Sequence, residues 1–215
     1  MGQGFYTKML QIASQELGVP MTKIHMSESS TDCVPNPNIS GGSSTADFSG
    51  NAVRLACLEL SKRLAPFKEA EPKGVWEQWI GVAYGSRVNL SVSAHYAIPH
   101  EFTKYSMEKK EGNRWAYFVN VASCSVVKVD VLTGEHKLLK TEIVMDVGES
   151  LNPAIDIGQI EEAYVQGYGY LAMEETLFSK EGKLLTRGHD TYSAPTIRDI
   201  PSVFNVSLLR KTNSC

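Results

Sequence analysis

Apolar residues recur every three to four positions in four parts of the chain, which is the spacing of one buried face of an α-helix. The first of these segments is followed by Gly18 and Pro20, two residues that end helices. The second begins beside Asp47 and Ser49, either of which could cap a helix N-terminus. The pattern therefore predicts helices over residues 4–17, about 46–64, 76–84 and a long stretch after Pro153.

Other segments alternate apolar and polar residues, as half-buried strands do. The clearest is a hairpin in which residues 115–131 and 138–147 flank a turn at Leu132–Glu135. A second hairpin is predicted around Lys180–Lys183, and single strands over residues 23–27, 88–98 and 203–209. Because helices and strands follow no regular βαβ order, the predicted fold class is α+β, with mixed helices and β-hairpins.

The long helix near the C-terminus has an unusual composition. Asp156 and, three residues later, Gln159 match a capping box, which predicts that the helix begins there. Gly167 and Gly169 then fall inside the helix, where each glycine costs about 1 kcal/mol relative to alanine. Glycine is tolerated at such a cost where another group approaches the backbone closely, so we expect close packing at both positions.

Composition and charge narrow the function classes. With 215 residues, 42% hydrophobic and 21% charged, the chain can form one large domain or two small ones; the polar connector at residues 66–74 is a possible subdivision. A net charge of −3 without charge runs argues against nucleic acid as a partner.

We expect no transmembrane helix and no secretory leader. The four cysteines and five histidines show no metal-ligand spacing, so we expect no metal site and place the histidines on the surface or in packing.

Three polar segments could bind a ligand. Gly2 and Gln3 precede a helix whose first N–H groups could meet an anion, although such a short motif alone is more typical of a flexible start. Residues 40–45, with Ser40, Gly42, Ser43 and Thr45, combine hydroxyls with small residues before a helix. Locally this pattern is as typical of a disordered serine-rich loop as of a phosphate or pterin cradle. Gln159 offers a donor and an acceptor, but by itself a role in the capping box is the simpler explanation.

Together these segments carry a family resemblance. The stretches MGQGFYTKM, SGGSSTADFSGNAV and EIVMDVGESLNPAIDIGQIEEAYVQGYGY, in this order and spacing, closely resemble the xanthine dehydrogenase/aldehyde oxidase family of molybdenum hydroxylases. The resemblance covers essentially the whole chain and lies in the C-terminal part of the family's molybdenum-cofactor domain. It implies that residues 1–215 form a partial second molybdenum-cofactor-binding domain.

The resemblance also implies a chemistry. Enzymes of this family hydroxylate purines, aldehydes or N-heterocycles with oxygen from water at a molybdenum–molybdopterin cofactor. Their electrons leave through [2Fe–2S] clusters and FAD, which lie in domains absent from this sequence. Carried over by motif, the implied cofactor-binding residues are Gly2, Gln3, Ser40, Gly42, Ser43, Thr45 and Gln159. Small-molecule substrates, a homodimer of the full-length enzyme and a cytoplasmic location, with a peroxisomal one left open, are implied as well.

The departures from the family pattern lead to two hypotheses. The family's general base is a glutamate in a Gly-Glu-Pro-Pro motif after a strand like residues 203–209, and this sequence ends at Cys215 before such a motif. We therefore assign no catalytic residue and expect that the chain alone does not retain molybdenum. The first hypothesis is a fragment of a molybdenum hydroxylase that contributes to cofactor binding. The alternative is a catalytically inactive short homologue that acts as a binding or interaction remnant.

Overall fold

A computed structural model describes residues 2–34, 36–37 and 39–209. The chain divides into two compact units, Met1–Ala116 and Tyr117–Cys215, so that residues 66–74 lie inside the first unit. Helices and small sheets occur together without βαβ alternation, which confirms the α+β class. In the described part of the chain, no helix is both long enough and apolar enough to cross a membrane.

The first unit is organised around a pair of packed helices. Helix α1 spans Phe5–Leu17 and ends at Gly18, whose φ of 69° is readily adopted by glycine. Helix α2 spans Thr45–Ala70 and packs against α1. A Cβ placed on Gly50 would lie 2.9 Å from Ile12 Cδ1, so the absent side chain of Gly50 allows the two helices to approach.

Helix α2 is longer than predicted at both ends. It begins directly after Ser44, and no side chain caps it, so the prediction of Asp47 or Ser49 as the cap is wrong. It also continues through Pro66 to Ala70, which shortens the predicted connector of residues 66–74. Proline usually interrupts a helix because it lacks an N–H group, but Leu64, two residues before Pro66, is fully buried, and tertiary packing outweighs the local signal.

Helix α3 covers Trp76–Gly85, close to the predicted 76–84. The Gln78 side-chain oxygen accepts a hydrogen bond of 2.9 Å from the backbone N–H of Val75 at the start of the helix. The Trp79 ring N–H donates a 2.9 Å hydrogen bond to the carbonyl oxygen of Glu71. These two contacts order the short turn between α2 and α3.

Two predicted strands of the first unit are wrong. A single 3-10 turn at Met21–Lys23 and irregular backbone replace the strand expected at residues 23–27. Residues 88–98 do alternate between half-buried and exposed, as the sequence pattern implies, but they pair with no strand in the described part of the chain. Instead, Arg63 Nη1 donates hydrogen bonds of 2.8 and 3.1 Å to the carbonyl oxygens of Asn89 and Ser91.

The exposed segment of residues 100–113 ends the first unit. It contains a 3-10 turn at His100–Phe102 and a minimal hairpin of strands β1 (Tyr105–Ser106) and β2 (Glu111–Gly112).

The second unit contains a three-stranded sheet with the order β3-β4-β5. Strands β3 (Asn120–Val129) and β4 (His136–Asp146) form the predicted antiparallel hairpin, with a register irregularity between Val126 and Val127. Strand β5 (Val203–Leu208) pairs with β4 in parallel. The predicted hairpin around Lys180–Lys183 is present in a minimal form: Phe178 and Leu184 form an antiparallel bridge. On either side of it, the N–H groups of Ser179 and Leu185 donate hydrogen bonds of 2.8 and 2.9 Å to the carbonyl oxygens of Lys183 and Leu177.

Helix α4 (Pro153–Ala172) follows the sheet hairpin, and its start differs from the prediction. Asn152 is the cap: its side-chain oxygen accepts a 3.2 Å hydrogen bond from the N–H of Ile155. Asp156 already lies in the first turn and accepts a 2.5 Å hydrogen bond from the Ser150 hydroxyl. The predicted Asp156–Gln159 capping box is therefore wrong, because Pro153, with its helical φ, starts the helix earlier.

Helix α4 is held to the sheet through Tyr164. Its ring contacts the Phe204 ring, with centroids 5.3 Å apart. Its hydroxyl lies 2.7 Å from Ser125 Oγ and 3.0 Å from Thr141 Oγ1, and these two oxygens are 3.0 Å apart. Because Thr141 is fully buried, this closed group of three hydroxyls satisfies a polar atom that would otherwise destabilise the unit.

The two interior glycines of α4 differ. A Cβ on Gly169 would lie 2.3 Å from Pro195 Cγ, which confirms close packing there. A Cβ on Gly167 would meet nothing within 4 Å among the described residues, so the close approach predicted at Gly167 stays a prediction.

Candidate cofactor-binding cleft

The first unit contains an open cleft of about 890 Å³. Its walls come from three stretches of chain: the start of α1, the loop that leads into α2 together with the first turns of α2, and the extended segment near residue 95. Four of the predicted site residues line it: Gly2, Gln3, Ser40 and Thr45. The fold therefore brings together residues that are more than 35 positions apart in sequence.

Three of these side chains form a connected polar row. Gln3 Nε2 lies 3.5 Å from Ser40 Oγ, at the limit of a hydrogen bond, and Ser40 Oγ lies 3.2 Å from Thr45 Oγ1. The amide of Gln3 and the two hydroxyls offer both donors and acceptors to a ligand. This arrangement requires the loop before α2 to fold back towards the start of α1.

Both helices that reach the cleft begin without a side-chain cap. Gly4 precedes α1 with a φ of 70°, and Ser44 precedes α2. The first N–H groups of a helix have no partner within it, and the helix dipole places partial positive charge there. Two such N-termini beside one cleft favour an anionic group, such as a phosphate.

The glycines and Ser43 shape the backbone around this row. Gly2 has a φ of 85° and would meet no atom within 4 Å if it carried a Cβ, so its backbone is open to a ligand. Gly42 and Ser43 both have positive φ, 63° and 57°, in the turn that enters α2. Neither of them belongs to the lining of the cleft. Ser43 adopts a conformation that costs a non-glycine residue about 1–2 kcal/mol.

Sequence patterns missed several residues of the cleft. Tyr6 Oη and Ser29 Oγ lie 2.5 Å apart and join α1 to the loop that follows it. His95 and Tyr96 line the cleft from the extended segment. No fixed spacing links these residues, although the alternation of residues 88–98 does place His95 on the exposed face.

Gln159 belongs to the second unit. It lies on the exposed surface of α4, beyond the first turn, and its Nε2 atom is 3.4 Å from Glu162 Oε2. Its amide is exposed, and the other six predicted site residues all belong to the first unit.

The donor set of the cleft suits a phosphorylated polar ring better than a bare metal ion. Amide, hydroxyl and backbone N–H groups can bind a phosphate and the edge of a heterocycle. By contrast, the described residues contain no group of three histidine, cysteine, aspartate or glutamate side chains that could hold a metal. A molybdopterin cofactor, in which the pterin carries the metal, is consistent with both observations.

Comparisons with known proteins agree with this chemistry. The model of the molybdopterin cofactor-binding domain family matches residues 1–201. Mouse xanthine dehydrogenase/oxidase is 51% identical over 210 residues, which make up 98% of this chain and 16% of the relative. Aldehyde oxidase 1 of Macaca fascicularis is 49% identical over 209 residues, 97% of this chain and 16% of the relative.

Solved structures share the fold. The aldehyde oxidoreductase of Desulfovibrio gigas superposes with a TM-score of 0.77 at 22% identity, covering 99% of this chain and 23% of that chain. Quinoline 2-oxidoreductase of Pseudomonas putida gives 0.76 at 20% identity, covering 99% and 29%. This chain thus spans about one sixth of the curated relatives, 16% of the mouse enzyme. It belongs to the molybdopterin cofactor-binding domain family and corresponds to a cofactor-binding segment of enzymes of the xanthine dehydrogenase and aldehyde oxidase type.

Proposed function

We propose that this chain forms part of the molybdopterin-binding site of a molybdenum hydroxylase. The observation that carries the proposal is the polar row of Gln3, Ser40 and Thr45, which lies in one cleft with two uncapped helix N-termini. In this proposal the N-termini bind the phosphate of the cofactor, and the row binds polar edges of the pterin. The open backbone at Gly2 allows close approach to the cofactor.

The remaining predicted residues have different roles in the proposal. Gly42 and Ser43 set the turn that directs Ser40 and Thr45, so they act on the ligand through other residues. Gln159 lies in the second unit, where its exposed amide offers a donor and an acceptor to a ligand. Residues 1–215 then form a partial second cofactor-binding domain.

The reaction of the whole enzyme is a further part of the proposal. The relatives named xanthine dehydrogenase/oxidase and aldehyde oxidase support oxidative hydroxylation of a purine, an aldehyde or an N-heterocycle as its activity. When bound, the cofactor supplies the redox and oxygen-transfer chemistry, and this chain contributes binding and orientation. FAD and [2Fe–2S] clusters in other domains, a homodimer and a cytoplasmic location complete the proposal.

A chimeric enzyme tests the binding role. In mouse xanthine dehydrogenase/oxidase, this chain would replace the matching 210 residues. The purified chimera is then analysed for molybdopterin, by fluorescence of its oxidised derivative after gel filtration, and for molybdenum by mass spectrometry. We expect the chimera to retain both. Each of Gln3→Ala, Ser40→Ala and Thr45→Ala should lower retained molybdopterin about two- to tenfold, the loss typical of one hydrogen bond.

Matched variants outside the cleft provide the controls. Gln15 lies on the exposed side of α1, and Thr103 lies in the exposed segment before β1; neither lines the cleft. Gln15→Ala and Thr103→Ala should leave the molybdopterin content unchanged. If the triple variant of Gln3, Ser40 and Thr45 folds normally by circular dichroism and retains as much cofactor as the parent chimera, the proposed site is wrong.

A further inference from the structure

Residues 88–98 combine the side-chain pattern of a strand with a backbone that has no partner strand. Their side chains alternate between half-buried and exposed along the whole segment. The N–H and C=O groups of residues 92–98, however, form no hydrogen bond within the described part of the chain. Backbone that stays extended over such a length usually belongs to a sheet, where a neighbouring strand pairs with these groups.

Arg63 covers one edge of this segment and leaves the other edge free. Its Nη1 atom donates hydrogen bonds to the carbonyl oxygens of Asn89 and Ser91. Carbonyl groups two residues apart in an extended chain point to the same side, so Arg63 lies along the edge of the odd-numbered residues. The backbone groups of the even-numbered residues, from Leu90 to Ile98, point to the opposite edge.

The sequence of the segment has none of the features that protect an exposed strand edge. Soluble proteins usually protect such edges with lysine, proline or a bulge, because a free edge pairs with other chains. Residues 88–98 contain no proline, aspartate, glutamate, lysine or arginine. Val92, Ala94 and Tyr96 share the half-buried face, which the side chains of a neighbouring strand can continue. This composition is typical of a strand inside a sheet.

The remaining part of a hydroxylase polypeptide is the occupant of this edge that the observations favour. This chain makes up 16% of mouse xanthine dehydrogenase/oxidase, so most of such an enzyme lies outside the matched segment. Residues 93–96 also line the open cleft. Cofactor sites usually bury most of their ligand, so a strand added at this edge would also help to enclose the cleft.

We infer that the even-numbered edge of residues 90–98 accepts a β-strand from a segment of the same hydroxylase polypeptide outside residues 1–215. This inference rests on the proposed function and adds a partner to it. The added strand is an extended segment of about six residues, the usual strand length. It contains no proline in its paired part, because proline cannot donate to the ladder. Its apolar side chains occupy alternate positions and continue the face of Val92, Ala94 and Tyr96.

Hydrogen exchange in the full chain alone and in the chimera with mouse xanthine dehydrogenase/oxidase tests the pairing. Mass spectrometry with electron-transfer fragmentation resolves single amides. In the full chain alone, all amides of residues 92–98 should exchange rapidly. In the chimera, the amides of Val92, Ala94 and Tyr96 should exchange at least about tenfold more slowly, because a hydrogen bond must open first. The amides of Ser93 and His95 point to the other edge and should remain fast.

Two alanines of the segment provide a matched pair of variants. Ala94→Pro removes an N–H group from the even-numbered edge and should restore rapid exchange at Val92 and Tyr96 in the chimera. Ala97→Pro removes an N–H group from the opposite edge and should leave both amides slow. If the Ala94→Pro chimera does not assemble, the exchange pattern of the parent chimera decides the inference.

Other results overturn the inference. Rapid exchange of every amide of residues 92–98 in the chimera means that no strand pairs there. Equally slow exchange of odd- and even-numbered amides means burial under another surface without strand pairing. Slow alternate exchange already in the full chain alone assigns the edge to this chain or, if the chain sediments as a dimer, to a second copy. Molybdopterin content is measured separately, so a chimera that lacks the cofactor but keeps the alternate protection would refute the proposed function and support the pairing.

Discussion

The two interior glycines of α4 provide a prediction in which one helix contains both the variant and its control. Gly167→Ala and Gly169→Ala make the same chemical change two residues apart. Both should gain about 1 kcal/mol of helix propensity. The surroundings differ, because a Cβ at position 167 meets nothing within 4 Å, whereas a Cβ at position 169 lies 2.3 Å from Pro195 Cγ and 2.6 Å from Glu174 Oε1.

The distances set the size of the effect. Ordinary van der Waals contact of a Cβ begins at 3.4 Å, so the ring of Pro195 would have to move by about 1 Å. A carboxylate at the end of a flexible side chain can move aside, but a proline ring moves only with its backbone. Overpacking of this kind costs about 1–3 kcal/mol. Because both variants share the propensity gain, Gly167→Ala should exceed Gly169→Ala in stability by about 1–3 kcal/mol.

Native-state hydrogen exchange of the α4 amides measures this difference directly. Tryptophan fluorescence serves as an internal control, because Trp76, Trp79 and Trp115 all lie in the first unit and should report the same unfolding for both variants. Equal stabilisation by the two substitutions would refute the packing argument for Gly169. A loss of stability in Gly167→Ala would show that something packs against that position.

Three further predictions concern the second unit. Asn152→Ala removes the cap of α4 and should lower the stability of the helix by about 1 kcal/mol in the same hydrogen-exchange experiment, whereas Asn152→Asp should retain it. Tyr164→Phe takes one hydroxyl from buried Thr141 and should cost about 0.5–1.5 kcal/mol in urea unfolding followed by circular dichroism; no change would contradict the role of the three-hydroxyl group. The hydrogen bond from Lys140 lowers the pKa of the Glu142 carboxyl below its usual 4.5. The stabilisation that the Lys140–Glu142 pair gives the folded unit is therefore complete above pH 4.5 and is lost as the pH falls through the lowered pKa. Acid unfolding of Glu142→Gln should accordingly lack this component, and an acid-unfolding curve identical to that of the parent chain would argue against it.

Much of the secondary structure was predictable from local sequence patterns. Helices α1 and α3 and the β3–β4 hairpin lie where the periodicity places them, because each signal and its stop residues are close together in the chain. Boundaries were less predictable. Helix α4 begins at Pro153 because the Asn152 cap competes successfully with the Asp156–Gln159 pattern, and α2 passes through Pro66 because Leu64 is buried.

Strands depend on partners that local patterns do not contain. Residues 88–98 have the alternation of a strand and no ladder in the described part of the chain, whereas residues 203–208 form a strand because β4 lies beside them. The parallel direction of that pairing was not predicted. A ladder is made of hydrogen bonds between separate segments, so alternation alone is not sufficient.

The sequence by itself determined the α+β class, most helices, the main hairpin and the family, because these depend on local spacing and on the order of motifs along the chain. Only the tertiary structure decided which candidate residues meet. It placed Gln3 beside Ser40, 37 positions away, and added His95, whose sequence context contains no ligand motif. The physical reason is that a cleft is built from side chains at van der Waals and hydrogen-bond distance, and residues far apart in sequence reach that distance only when the chain has folded.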